Sequence, residues 1–151
     1  MPQSTVIAES TIDDFSIGQE FSFSATIKKS DVENFAKLSG DVNPLHMDES
    51  FAQQRGFKGR VVHGILLSSY LSRLVGVHFP GRHAVLHSIN INFLSPAYID
   101  DTVSIECVVK QISLGTQTLV LKVAMKNNES RNVLLRGKIQ VGFTKPIVSD
   151  D

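Results

Sequence analysis

Asp41 and His46 are the two side chains whose types and spacing best support chemistry. They lie five positions apart in the segment LSGDVNPLH, residues 38–46. Gly40 permits a sharp exit from a helix, and Pro44 disfavours helical backbone at the residue before it, so the pair is expected on a stiffened loop. An aspartate and a histidine held together can bind one water molecule and exchange protons with it. The segment therefore predicts the addition or removal of water.

Composition narrows the classes of protein. The 151 residues fit one domain, and 15 basic against 15 acidic residues give no basic field for nucleic acid. A single cysteine, Cys107, excludes an intramolecular disulfide and a paired-cysteine metal site. Residues 1–11 lack the features of a targeting peptide, and polar residues interrupt the longest apolar stretch, 61–79. We expect a cytoplasmic protein with neither a nucleic-acid nor a membrane partner.

The elements before and after the pair follow from hydrophobic periodicity. Apolar residues alternate over residues 21–27, which predicts a half-buried strand. Ser30 and Glu33 have the spacing of a capping box, which predicts a helix ending at Gly40. Asp48 can cap a short helix that follows the pair. Asp41 is therefore expected directly after a helix C-terminus.

A long helix beginning at His63 and Gly64 is apolar on most of its circumference, so other structure must surround it. Alternating patterns then predict four strands, around residues 89–93, 103–109, 119–125 and 133–143. Short turns between them favour antiparallel pairing. The sequence predicts an α+β fold in which an antiparallel β-sheet wraps around a long central helix. Cys107 is expected to pack on the inner face of that sheet.

The segment containing the pair resembles the hydratase-2 signature of the MaoC-like, R-specific enoyl-CoA hydratases. The matching residues are Phe35, Leu38, Ser39, Gly40, Asp41, Asn43, Pro44, Leu45, His46, Ala52, Val62, His63, Gly64, Pro80 and Gly81. The resemblance implies a single hot-dog fold. We expect a flexible N-terminal arm over residues 1–14, the MaoC-like hot-dog domain over 15–145 and a C-terminal tail over 146–151.

Residue by residue, the resemblance implies that Asp41 and His46 are catalytic and that Asn43 supports them by hydrogen bonding. Gly64 would donate its backbone N–H to the thioester carbonyl as an oxyanion hole, and Ser72 would be a polar group near the pair. A backbone N–H at a helix start suits the enolate that develops when water adds to an enoyl thioester.

The implied activity is the reversible syn addition of water to trans-2-enoyl-CoA, giving (R)-3-hydroxyacyl-CoA. Which of the two side chains delivers the C2 proton stays open, and so does the acyl-chain length. No metal or redox cofactor is implied, and coenzyme A is part of the substrate. Dehydration of 3-hydroxyacyl groups on acyl carrier protein is an alternative. Thioester hydrolysis and a non-catalytic acyl-thioester-binding subunit rank lower.

Three further expectations concern groups around the site. Arg55, Lys58 and Arg60 form a basic cluster that could meet coenzyme A phosphates or lie in a solvated loop. His63 is expected to satisfy a core hydrogen bond rather than serve as a base. A single hot-dog sheet has exposed edges and an incomplete tunnel, so we expect a homodimer with the acyl pocket near the interface.

Overall fold

The computed structural model describes residues 5–145, so residues 1–4 and the predicted C-terminal tail at 146–151 lie outside the described residues. The helices and strands in chain order are β1 Glu20–Thr26, α1 Lys29–Ser39, α2 Pro44–Met47, α3 Glu49–Gln54, α4 Gly64–Arg73, β2 Ala84–Phe93, β3 Thr102–Ser113, β4 Thr118–Asn127 and β5 Val133–Phe143. A short 3₁₀ turn at Ile12–Asp14 precedes them, and a π-helical turn at Leu74–His78 extends α4. Between residues 5 and 145, no helix has both the length and the apolar run needed to cross a bilayer.

The strands form one five-stranded sheet in the order β1-β3-β4-β5-β2, with every neighbouring pair antiparallel. Its inner face packs on α4 and on the π-helical turn that follows, where Leu67, Leu71 and Leu74 are 2% exposed or less. The structure therefore confirms the predicted sheet around a central helix. Cys107 is buried on the inner face, and burial raises the pKa of its thiol to about 12, which accords with a packing role.

Two local predictions need correction. Helix α1 begins at Lys29, and the carboxylate of Asp31 rather than that of Glu33 accepts the backbone N–H before the helix, from Lys28 at 2.8 Å. The segment predicted as an irregular loop contains α2, a four-residue helix that begins at Pro44 and carries His46. Proline fits the first helical position because its missing N–H would have no partner there.

Part of the predicted N-terminal arm is attached to the domain. The backbone N–H of Ala8 donates to Val77, and the carbonyl of Ala8 accepts from Arg82, each at 2.8 Å. The carboxylate of Glu9 lies 2.8 Å from the guanidinium of Arg82, and Ile12 is buried. These contacts are long-range, so a segment without local periodicity gives no sign of them.

The edge strand β2 exposes apolar side chains that the alternating pattern suggests are inward-facing. Ile89 is 39% exposed and Phe93 50% exposed, and the neighbouring Leu94 is 47% exposed. A register shift between Leu86 and Ser88 interrupts the pairing of β2 with β5. The predicted strand is present, but burial does not alternate along its whole length, and period alone does not say which face of an edge strand is covered.

We predict that Leu71→Ala lowers the free energy of unfolding by about 2–5 kcal/mol, because it opens a cavity in a fully buried contact between α4 and the sheet. Urea denaturation measures the change. The matched control is Leu114→Ala, at a side chain that is 60% exposed, which should change stability by less than about 0.5 kcal/mol. Equal losses for the two variants would contradict the placement of α4 in the core.

Candidate active site

Local hydrogen bonds shape the loop that carries Asp41. Gly40 ends α1 in the left-handed region at φ 79°, and its N–H donates to the carbonyl of Ala36. The N–H of Asp41 donates to Ser39 Oγ at 3.1 Å, and the N–H of Asn43 donates to Asp41 Oδ1 at 3.3 Å. The glycine and these bonds account for a defined loop conformation in an exposed segment.

Asn43 supports the pair through backbone geometry. Its side-chain Oδ1 accepts the N–H of Leu45 at 2.9 Å and thereby caps the N-terminus of α2. Because His46 lies on α2, the cap fixes the helix that positions the imidazole. The predicted supporting residue is therefore adjacent to both members of the pair in the structure.

The two predicted catalytic side chains face each other. His46 Nε2 lies 3.8 Å from Asp41 Oδ2, and the exposed fractions are 14% for the imidazole and 51% for the carboxylate. That distance exceeds a direct hydrogen bond, but a water oxygen can lie at about 2.8 Å from both atoms. The structure thus brings together the groups needed to hold a single water molecule.

A backbone carbonyl selects the tautomer of His46. Its Nδ1 lies 2.6 Å from the carbonyl oxygen of Val61, and a carbonyl can only accept. Nδ1 therefore carries the hydrogen, and in the neutral ring Nε2 carries the lone pair that faces Asp41. This arrangement suits His46 to accept a proton from a bound water.

His63 lies beneath the pair and is 2% exposed. Its Nε2 is 2.9 Å from the carbonyl oxygen of Asp41, and its ring stacks on that of His46 with centroids 3.9 Å apart and an interplanar angle of 27°. Because the carbonyl accepts, Nε2–H donates. The prediction of a hydrogen-bonded core histidine is confirmed, although the sequence gives no indication that its partner is the Asp41 backbone.

Arg60 belongs to the support of the site. It is 9% exposed, its Nε donates to the carbonyl of His46 at 2.6 Å, and its Nη2 donates to Glu33 Oε1 at 3.0 Å. The guanidinium is thus engaged inside the protein, and the contact of Arg60 with coenzyme A phosphates stays a prediction. The partners lie 14 and 27 positions away, so local sequence patterns do not indicate them.

Arg55 and Lys58, the other two residues of the predicted basic cluster, are exposed. The guanidinium of Arg55 lies 4.6 Å from the ring centroid of Phe51, and Lys58 Nζ lies 6.0 Å from the ring centroid of Tyr98. Neither contacts Asp41 or His46 in the described residues. The guanidinium of Arg55 and the ammonium of Lys58 remain accessible to an anionic ligand.

Gly64 begins α4 at the wall of an apolar cavity of about 520 Å³. The first N–H groups of a helix have no intrahelical acceptor, so this N–H can bind an oxygen atom. A Cβ at this position would lie 3.0 Å from two ring carbons of Phe93, so glycine leaves room for that ring. The lining residues are His46, Phe57, Val61, Val62, Gly64, Ile65, Leu67, Phe93, Leu94, Ser95, Pro96 and Ala97.

A second cavity of about 700 Å³ adjoins the first at Ser95 and Pro96 and is lined mainly by polar loop residues, Lys58 and Tyr98 among them. Ser72 is exposed and follows Gly64 by eight residues, about 12 Å along the helix axis. Within the described chain, Ser72 forms none of the hydrogen bonds around the pair.

Asp41, His46 and His63 have ligand-type atoms within 4.8 Å of one another. Their directions do not suit a shared metal ion, because the two imidazole rings are stacked and their nitrogen lone pairs lie in nearly parallel planes. His63 Nε2 is also engaged with the Asp41 carbonyl. The arrangement is better suited to proton transfer than to metal binding.

Comparison with known proteins identifies the family. A family model described as MaoC like domain matches residues 14–132. The chain belongs to this family. The MaoC-like domain superposes on the solved (R)-hydratase from A. caviae with a TM-score of 0.81 and 29% identity, covering 85% of this chain and 97% of that one. This similarity confirms the hot-dog fold.

Relatives of this chain are named for two activities, hydration and dehydration. One is an (R)-specific enoyl-CoA hydratase of Rhodospirillum rubrum, 39% identical over 92 residues, which cover 61% of this chain and 64% of the relative. Another is a mitochondrial 3-hydroxyacyl-[acyl-carrier-protein] dehydratase of Arabidopsis thaliana, 45% identical over 73 residues, which cover 48% of this chain and 43% of the relative. The match thus spans less than two thirds of the length of either relative.

We predict that Arg60→Ala lowers the free energy of unfolding by about 1–3 kcal/mol, because it removes buried hydrogen bonds to a carbonyl and a carboxylate. The carboxylate of Glu33 is 45% exposed, so the ion pair contributes at the lower end of that range. The matched control, Arg55→Ala, removes an exposed arginine and should cost less than about 0.5 kcal/mol. A raised KM for a coenzyme A substrate with unchanged stability in Arg60→Ala would contradict the assignment.

Proposed function

We propose that this chain is a hydro-lyase that reversibly adds water syn to trans-2-enoyl-CoA, giving (R)-3-hydroxyacyl-CoA. The observation that carries the proposal is the arrangement of Asp41 Oδ2 and His46 Nε2, 3.8 Å apart. The tautomer that Val61 selects turns the lone pair of His46 towards the carboxylate. The N-terminus of α4 and an apolar cavity lie beside the pair. Acid–base groups, an oxyanion site and an acyl pocket are thus in one place.

The proposed reaction follows from these positions. Asp41 and His46 hold a water molecule, and His46 Nε2 accepts one of its protons as the water oxygen forms a bond to C3. The C2=C3 electron pair shifts towards the thioester carbonyl, and the Gly64 N–H stabilises the resulting enolate oxygen. C2 then receives a proton from the same pair as the carbonyl re-forms. Water and proton arrive from one face, which gives syn addition. The reaction draws on no metal or redox cofactor.

The acyl carrier is the point on which a second candidate function differs. The relative from Arabidopsis thaliana named as a 3-hydroxyacyl-[acyl-carrier-protein] dehydratase shares 45% identity over 73 residues with this chain, which favours dehydration on acyl carrier protein as the alternative. Both reactions use the same chemistry in opposite directions. We propose that the larger, polar cavity receives the amide-bearing arm that the two carriers have in common.

The decisive experiment follows the enoyl absorbance of crotonyl-CoA on addition of the purified protein, with thiol release measured in parallel. Loss of the enoyl band without thiol release, and an R-configured product on a chiral column, are expected. Thiol release without hydration would indicate a thioesterase and overturn the proposal. Binding without either reaction would indicate a non-catalytic acyl-binding subunit. A parallel assay with an equal concentration of the crotonyl thioester of acyl carrier protein identifies the preferred carrier.

We also propose that two copies form a homodimer along the β2 edge. This edge carries unpaired backbone groups and the exposed side chains of Ile89 and Phe93, and Phe93 also lines the apolar cavity. The side chain of Ile65, 65% exposed, lies at the same cavity. A second copy would cover these apolar groups and close the pocket.

We predict that Asp41→Asn and His46→Gln lower kcat by about 10²–10⁴-fold, because each removes one proton-transfer group while nearly preserving shape. The crotonyl-CoA assay measures the loss, and circular dichroism checks the fold. Asp13→Asn and His83→Gln are matched controls away from the pair and should retain activity. Turnover within twofold of wild type in either pair variant would refute the assignment.

We predict that the wild-type protein sediments as a dimer and that Ile89→Lys shifts it towards monomer, because a charge on the β2 edge opposes strand pairing between copies. Analytical ultracentrifugation over a range of concentrations measures the shift. Ser24→Lys, on the opposite edge strand β1, is the control and should leave the dimer intact. A wild-type monomer at all concentrations would contradict the proposal.

A further inference from the structure

His63 connects the protein core to the exposed loop that carries Asp41. The side chain of His63 is 2% exposed, whereas that of Asp41 is 51% exposed. The Nε2–H of His63 donates to the Asp41 carbonyl at 2.9 Å across 22 positions of sequence. The other hydrogen bonds of this loop run to near neighbours in sequence, such as the one from the Asp41 N–H to Ser39 Oγ. Bonds of that kind hold the shape of a loop but do not set its position relative to the core.

The ring of His63 also constrains His46. The bond from Nδ1 of His46 to the Val61 carbonyl fixes one ring nitrogen but leaves the ring plane adjustable, since the second side-chain torsion of histidine is broad. The stacked ring of His63, with centroids 3.9 Å apart, restricts that plane. Together the two contacts direct His46 Nε2 towards Asp41.

His63 is also the N-cap of α4 and directly precedes Gly64. Its backbone therefore moves with the N–H that would bind the thioester carbonyl. We infer that His63 is a positioning residue that holds the carboxylate loop, the imidazole plane and the start of α4 in one arrangement. The inference rests on the proposed function of Asp41 and His46.

A second observation separates this role from simple packing. His63 Nδ1 is buried and has no hydrogen-bond partner among the described residues. A buried polar atom without a partner lowers stability, so histidine is a poor choice here for folding alone. Residues that break a local rule of this kind occur at functional sites, where removing them trades activity for stability. An apolar ring in place of His63 should therefore be tolerated by the fold and harmful to turnover.

The test compares His63→Phe with His63→Gln. Phenylalanine keeps a flat ring against His46 and removes both nitrogens, whereas glutamine keeps an N–H donor near the Nε2 position and removes the ring. For His63→Phe we expect a melting temperature within about 3 °C of wild type, kcat reduced about 10–100-fold, and KM for crotonyl-CoA changed less than about threefold. For His63→Gln we expect partial recovery of kcat, to within about 10-fold of wild type.

Amide hydrogen exchange supplies a readout that does not depend on activity. In His63→Phe, peptides covering residues 40–47 should exchange faster while those from β3 and β4 stay unchanged. Uniformly faster exchange, with kcat falling only in proportion to stability, would show a structural role and overturn the inference. If His63→Phe does not fold, the same comparison on His63→Gln decides. His83→Gln and His83→Phe are the matched controls, since the hydrogen bonds of His83 run through its backbone carbonyl.

The outcomes also separate this inference from the proposed function. Absence of hydratase activity in the wild-type protein would refute the proposed function, while the exchange measurement would still report whether His63 holds the loop. An active wild-type enzyme with kcat within twofold of wild type in folded His63→Phe would refute the positioning role alone.

Discussion

The burial of the sheet's inner face against α4 is the constraint on which the rest of the structure depends. The inner side chains of β3 and β4, such as Ile105 and Leu121, are fully buried, and α4 covers them. Apolar burial of this extent is the main favourable term in folding. It places the helix across the sheet and thereby determines where its N-terminus lies. The position of the Gly64 N–H is therefore a consequence of core packing.

A second set of contacts brings the loop to that N-terminus. The segments around His46 and Val61 pair through two hydrogen bonds, from the Val61 N–H to the Leu45 carbonyl at 3.1 Å and between His46 Nδ1 and the Val61 carbonyl at 2.6 Å. His63 adds its bond to the Asp41 carbonyl. Val61 and His63, two positions apart in sequence, thus contact His46 and Asp41 respectively. The same contacts satisfy buried polar groups and restrict the orientation of the His46 ring.

The buried guanidinium of Arg60 is paired with groups on two helices. A buried guanidinium is costly unless it is paired, and this one donates to Glu33 on α1 and to the carbonyl of His46 on α2. It links the two helices that flank the carboxylate loop. Of the three basic residues in the predicted cluster, Arg55 and Lys58 are exposed, and Lys58 lines the polar cavity.

The sequence by itself determined the features that depend on near neighbours: the strand periodicity, the helix that ends at Gly40 and the presence of Asp41 and His46 in one short segment. These follow from backbone preferences and periodicity, which act over a few residues. It misplaced the start of α1, because the Ser30 and Glu33 spacing competes with an equally local bond to Asp31. Only the tertiary structure decided that Glu33 pairs with Arg60, that His63 contacts both members of the pair and that β2 is an edge strand beside β5. Each depends on which remote segments the burial of the core brings together, and no local pattern encodes that pairing.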